Sequence, residues 1–154
     1  MIELSNGDIL LSKAQVLAVP VNRAGIAGAG LALAVANRVD GWRSHYVEWC
    51  RAGCPVEGIL YTPSNPHIYS AVTKQNPYDA SNLDLVLQTI NEMATDANMG
   101  NWRSAAVPAL GCGLGGLDWR KVIPRMCVML WDSNTMFTIY LPRDVKAPTI
   151  RSKR

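Results

Sequence analysis

Two rhythms alternate along the chain. Residues 16–21 (Val, Leu, Ala, Val, Pro, Val) are apolar without interruption, which predicts a strand covered on both faces. Pro20 within that run has no N–H to donate and is expected at the strand end or beside a bulge. Residues 2–4 form a short first strand, and Asn6, Gly7 and Asp8 after it signal a turn. Residues 58–62 and 68–73 read as strands joined across Pro63, Ser64, Asn65 and Pro66. Residues 104–108 and 136–141 are the last two strands. Between them the spacing becomes helical. Residues 31–36 are small and apolar, and residues 42–50 predict a second, partly exposed helix. Leu83, Val86, Leu87, Ile90, Met93, Ala94 and Ala97 share one helical face. Asp79 or Ser81 is expected to cap that helix and Gly100 to end it. A last helix follows Asp118, its expected cap, with Val122, Ile123, Met126, Cys127 and Leu130 inward. Pro124 should kink it or mark its first turn. Strands that alternate with helices predict an α/β fold with a parallel or mixed sheet.

Twice the chain passes from a buried strand through glycines into a helix. The first passage runs from Asn22 through Gly25, Gly28 and Gly30. The second comes after Pro108 and holds Gly111, Gly113, Gly115 and Gly116 before Asp118. Such loops bring backbone N–H groups and a helix start close to an anion such as phosphate. They lie where ligands bind in α/β sheets, at the carboxyl ends of strands. Two loops suit two parts of one ligand, such as a diphosphate with a sugar on either side. The bland alternative is a pair of tight connections with no ligand.

Composition adds little to this picture and excludes several classes. The chain has 154 residues, 49% hydrophobic and 18% charged, which suits one domain with a sizeable core. The net charge is +3, and Arg143, Lys146, Arg151, Lys153 and Arg154 concentrate it near the end. That end tolerates an anionic partner without demonstrating one. Cys50, Cys54, Cys112 and Cys127 lack paired spacing, and His45 and His67 are the two histidines, so no metal site is expected. No signal peptide or membrane span is expected, and reduced thiols point to a cytoplasmic protein. The five tryptophans lack the interleaved basic pattern of a single-strand binding face, and Trp119 and Trp131 are expected to pack in the core or on a helix face.

Three stretches occur here in the order found in macrodomains. They are Asn6, Gly7, Asp8 and Ile9 after a first strand; Asn22 ahead of Gly28, Ala29, Gly30 and Leu31; and the Gly-Cys-Gly-Leu-Gly-Gly stretch at 111–116 with Leu117, Asp118 and Trp119 behind it. The chain resembles that family over roughly residues 1–141. It is most similar to the branch of the terminal ADP-ribose protein glycohydrolase and the antitoxin macrodomain of DNA-ADP-ribosylating toxin–antitoxin pairs. The 111–114 loop and Thr73 with Lys74 carry that placement.

The resemblance implies a three-layer α/β/α sandwich with a mixed central sheet over residues 1–142, followed by a basic tail at 143–154. It implies an ADP-ribose site that needs no cofactor. Asp8 would accept the adenine amino group, with Ile9 beside it and Tyr140 packing near adenine. Gly28, Ala29, Gly30 and Leu31 would hold the diphosphate. Gly111, Cys112, Gly113, Leu114, Gly115 and Gly116 would close over diphosphate and distal ribose, with Pro108 at the base of that loop. Asn22 would orient the distal ribose, and Lys74 matches the catalytic lysine.

Taken alone, a lysine at a strand end is a solvated rim residue, and Asn22 equally suits a turn cap. Cys112 suits a small buried thiol better than a nucleophile. The protein glycohydrolase carries an acid where this chain has Gly115, whereas the DNA-directed branch has two glycines there and keeps the lysine. The expected activity is therefore removal of ADP-ribose from a nucleobase, thymidine in DNA, by a monomer, with single-stranded DNA as the carrier and no membrane involved. The alternatives are a reader that does not cleave, a protein ADP-ribose glycohydrolase, and an ADP-ribose 1″-phosphate phosphatase. At this length no added toxin-binding module is expected.

Overall fold

A computed structural model describes residues 1–147. The strands are β1 (Ile2–Ser5), β2 (Val16–Asn22), β3 (Gly58–Tyr61), β4 (His67–Lys74), β5 (Ser104–Pro108) and β6 (Met136–Tyr140). The helices are α1 (Gly30–Arg38), α2 (Trp42–Arg51), α3 (Leu83–Met99) and α4 (Trp119–Leu130), with a short 3-10 turn at Ile9–Leu11. One sheet runs in the order β1-β6-β5-β2-β4-β3. All neighbours are parallel except β3 against β4, so the sheet is mixed, as expected.

The uninterrupted apolar run of β2 places it mid-sheet, with its two faces feeding two cores. Val16 and Ala18 join α3 and α4 through Val86, Ile90, Met93, Val122 and Met126. Leu17, Val19 and Val21 join α1 and α2 through Ala32, Val35, Trp42 and Tyr46. The result is the α/β/α sandwich. Each fully buried large side chain, such as Ile90 or Phe137, contributes about 1.5–3 kcal/mol over leaving it in water.

Three expectations change in detail. Asn82, not Asp79 or Ser81, caps α3: its Oδ1 accepts from Leu85 N at 3.0 Å, because Asn82 is the residue with extended backbone ahead of the first turn. Pro124 lies in the second turn of α4 rather than its first. Trp131 is the residue at which α4 ends, and it stands 66% exposed instead of packing. At the start of the basic tail, the Asn6 side chain binds the backbone of Val145 and Ala147. Arg151, Lys153 and Arg154 of that tail lie outside the described residues. Asp118 caps α4 as expected, through Arg120 N at 3.0 Å. No helix among the described residues is long and apolar enough to cross a membrane.

Candidate functional site

Asn22, Lys74, Pro108 and Tyr140 all stand at the carboxyl ends of their strands, so the sheet gathers them along one edge. The pairing of β2 with β4 carries a bulge there. Val21 faces Val72, and the next pair is Asn22 with Lys74, so Thr73 is the extra residue. A bulge re-aims the side chains after it, and here it sets Lys74 rather than Thr73 opposite Asn22. Pro20 lies just before this irregularity, as its missing N–H requires.

Asn22 is buried and heavily engaged. Its Oδ1 accepts from Ala24 N at 3.0 Å and Ile26 N at 3.3 Å, and its Nδ2 donates to Ile26 O at 2.9 Å. The Tyr46 hydroxyl lies 3.0 Å from the same Oδ1 and 2.7 Å from the Asn22 carbonyl. Burial, with the Cys50 thiol beside it, pushes the Tyr46 hydroxyl well above the usual phenol range, so it remains a donor. Asn22 is thus the clamp of the first glycine loop, the turn-capping role the sequence left open. One Nδ2 proton is left for a ligand.

Lys74 is half-buried, and its Nζ donates to Pro77 O at 3.0 Å. It borders a polar groove of about 560 Å3 with Arg23, Gln75, Asp79, Asn82 and Gln88. Of the residues of the two glycine loops, Arg23 alone lines that groove. Lys74 therefore faces Asn22 in the sheet and also borders the groove.

The first loop leads into α1, whose N-terminal residue Ala29 offers no side-chain cap. The opening N–H groups of α1, on Gly30, Leu31 and Ala32, are therefore available to an anion. The second loop folds on itself. Cys112 N donates to Ala109 O, Gly116 N to Gly113 O and Leu117 N to Gly111 O. The N–H groups of Gly113, Leu114 and Gly115 have no acceptor among the described residues. The loops already touch: Leu114 is 77% exposed, and its Cδ1 lies 3.4 Å from the position a Cβ on Gly30 would take.

Gly111 takes φ +77, and a Cβ there would press on Leu117, Ser81 and Val86. Gly115 is held more tightly. A Cβ on it would lie 2.0 Å from Ser81 Oγ and 2.7 Å from Gly111 O. Ser81 N donates to Gly115 O at 2.9 Å, and the neighbouring Asn82 N to Thr73 O at 3.2 Å. The segment ahead of α3 thus ties the second loop to the strand end that carries Lys74. Ser81 Oγ is buried without a partner among the described residues. No carboxylate fits at position 115 unless both Ser81 and the backbone at Gly111 move.

Asp8 is exposed, with Oδ1 accepting from Leu10 N at 2.9 Å and its second oxygen open. Tyr140 packs beside the turn that precedes it, its Cε2 3.8 Å from the place of a Gly7 Cβ. Ile9 lines a separate pocket of about 200 Å3 with Leu10, Leu17, Val35 and Ile68. The Cys112 thiol is pushed up to about 11, by burial first and then by the Asp118 carboxylate, which suits the buried-thiol role. No cluster of metal-binding side chains occurs among the described residues. Three residues that shape the site carry no signal for it in the sequence: Tyr46, Ser81 and Arg23. A buried hydroxyl has no signature in sequence. Arg23 follows Asn22 directly, and its guanidinium is fixed by Cys54 O at 2.7 Å and by Glu57.

Known proteins of similar sequence and fold share names and ligands that bear on this chain. A DNA ADP-ribosyl transferase-DNA ADP-ribosyl glycohydrolase fusion protein of Thermosipho africanus is 29% identical, over 97% of this chain and 44% of that protein. A DNA ADP-ribosyl glycohydrolase of Mycobacterium tuberculosis is 30% identical, over 82% of this chain and 38% of that protein. The chain thus spans less than half the length of the curated relatives it matches. The solved macrodomain of Thermus aquaticus DarG superposes with a TM-score of 0.87 at 26% identity, covering 92% of this chain and 99% of that one. Thermosipho africanus DarTG in complex with ADP-ribose gives 0.87 at 28% identity, over 96% of this chain and 43% of that one. The profile of the family described as "Macro domain" matches residues 18–126, most of the chain, and the chain belongs to that family.

Proposed function

We propose that this macro domain removes ADP-ribose from a nucleobase of DNA, thymidine being the expected base, with Lys74 acting at the anomeric carbon of the distal ribose. The observation that carries the reading is the bulge that sets Lys74 opposite Asn22, beside two glycine loops with free N–H groups. The relatives' names and the ADP-ribose held in the Thermosipho structure support it.

In this reading the open oxygen of Asp8 accepts the adenine amino group, with Ile9 and Tyr140 beside the ring. Gly28, Ala29, Gly30 and Leu31 hold the diphosphate from one side. Residues 111–116, based on Pro108, hold it from the other. Asn22 turns its remaining N–H to the distal ribose. Lys74 has two balanced routes. As nucleophile, the neutral amine bonds to the anomeric carbon while the bond from that carbon to the base nitrogen breaks and the base leaves with a proton; water then displaces the lysine nitrogen. As acid, the ammonium protonates the departing nitrogen while water adds to the carbon, and the proton lost by that water restores the ammonium. In both routes the Pro77 carbonyl, 3.0 Å from Nζ, positions the group.

Residues 1–142 form the domain of this reading, and the basic segment 143–154 is compatible with a DNA substrate. It acts as a monomer in the cytoplasm; the four free thiols suit a reducing compartment. A second reading, a module that binds ADP-ribose without cleaving it, is favoured by the lack of room for a carboxylate at Gly115.

One experiment separates them. Single-stranded DNA carrying ADP-ribose on thymidine is incubated with the wild type and with Lys74→Ala, and the modification is followed by gel shift. The wild type should strip the DNA, and Lys74→Ala should not, while binding free ADP-ribose within a few-fold of wild type by calorimetry. A wild type that binds ADP-ribose and leaves the DNA modified overturns the hydrolase reading in favour of the binding module.

A further inference from the structure

The segment between Lys74 and α3 makes a feature that the ADP-ribose site does not use. Asp79 N donates to Asn76 O at 3.2 Å, closing a turn with Pro77 and Tyr78 at its two central positions. Proline at the first of these sets φ in advance, so the turn is preorganised. Two side-chain bonds brace it: Asn76 Nδ2 donates to Asp79 Oδ2 at 3.2 Å, and Lys74 Nζ to Pro77 O at 3.0 Å. At its apex Tyr78 is 94% exposed, more than any other large hydrophobic side chain described. A rigid turn thus displays an aromatic ring four residues from the lysine.

The groove that Lys74 borders also takes Gln75, just ahead of this turn, and Asp79, its last residue. Its wall carries the amides of Gln75, Asn82 and Gln88 over the apolar Leu85. Its charges cancel, Arg23 and Lys74 against Asp79 and Asp84. A phosphate backbone finds no net attraction in such a groove. A neutral heterocycle with a hydrogen-bonding edge finds amide donors and acceptors, and its flat face finds a ring.

We propose that Tyr78 and this groove form the subsite for the nucleobase that leaves, with Tyr78 stacking on a base of single-stranded DNA and the Gln75 and Gln88 amides facing the base edge. This rests on the hydrolase reading, in which the anomeric carbon lies at Lys74 and whatever it carries projects away from the glycine loops. The groove begins at Lys74, takes Arg23 alone from the first loop and nothing from the second. A base inside a duplex has both faces covered, so the subsite selects unpaired DNA.

The test is steady-state hydrolysis of an ADP-ribosylated single-stranded oligonucleotide by the wild type, Tyr78→Ala and Tyr78→Phe, with free ADP-ribose affinity measured in parallel. Tyr78→Ala should raise KM by roughly ten-fold, the scale of one lost base–aromatic stack, with kcat and ADP-ribose affinity little changed. Tyr78→Phe should restore the wild-type KM, because the ring face and not the hydroxyl makes the contact. The subsite is overturned if the wild type turns over and Tyr78→Ala has the same KM, or if Tyr78→Phe is as defective as Tyr78→Ala. A wild type that leaves the oligonucleotide modified overturns the hydrolase reading instead, and this subsite with it.

Discussion

Gly115→Ala is the substitution whose outcome the structure specifies most closely. The added methyl would lie 2.0 Å from Ser81 Oγ, 2.8 Å from Ser81 Cβ and 2.7 Å from Gly111 O, and two of those atoms are not ends of flexible side chains. Overpacking a closed site costs about 1–3 kcal/mol, and contacts this short place Gly115→Ala near about 3 kcal/mol. For a domain of this size that is a fall of about 6–12 °C in Tm. The alternative relief is a shift of the loop away from Ser81, which moves the N–H groups of Gly113 and Leu114 and lowers ADP-ribose affinity instead. Thermal unfolding and calorimetry with ADP-ribose, run on the same samples, capture both routes. Ser81→Ala is the companion variant. It removes the nearest clash and also a buried hydroxyl without a partner, which by itself costs about 1–3 kcal/mol. Alone it should raise Tm. Combined with Gly115→Ala it should recover part of the loss, because the contact with Gly111 O remains, and the two effects should not add. If Gly115→Ala changes neither Tm nor affinity, or Ser81→Ala gives no relief, the close seat of the loop on Ser81 is wrong.

The clamp and the loop thiol each predict a further outcome. Asn22→Ala strips the partners of Ala24 N and Ile26 N and one partner of the Tyr46 hydroxyl, at about 3 kcal/mol, so Tm and ADP-ribose affinity should fall together, unlike with Lys74→Ala; an unchanged Tm would refute the clamp. Cys112, with its thiol held up to about 11, is protonated at neutral pH, and its alkylation by iodoacetamide should rise about ten-fold per pH unit from pH 7 to 10; fast modification at pH 7 would contradict that environment.

The layers and the edge of the sheet are legible in the sequence because they depend on local runs. The apolar run of β2 is short, rich in valine and bounded by turn residues, which favours a strand covered on both faces over a buried helix, and the two passages through glycine mark where strands end and helices begin. Asp118 is readable as a cap because it is the first such residue before a periodic segment. Ahead of α3 three cap-type residues crowd together, Asp79, Ser81 and Asn82, and the choice among them depends on which one is extended in the folded chain. The bulge at Thr73 is not legible, since register belongs to a pair of strands and not to either alone. The seat of Gly115 on Ser81 joins residues far apart in sequence, and composition at neither position announces it. Trp131 departs from its expected place for a simpler reason: its spacing continues the inward stripe of α4, but the helix stops at that residue and leaves the indole outside.

Leu114 has a consequence for the order of events. Its side chain rests against Gly30, so the gap between the glycine loops is bridged before any ligand arrives. In the proposed site, a diphosphate held by both loops would have to share that gap with the leucine. Most of the side chain already faces solvent, so swinging it out sacrifices little apolar contact. An exposed side chain changes rotamer within nanoseconds, so in the proposed site this bridge would yield to an arriving diphosphate and close over it afterwards without slowing either step.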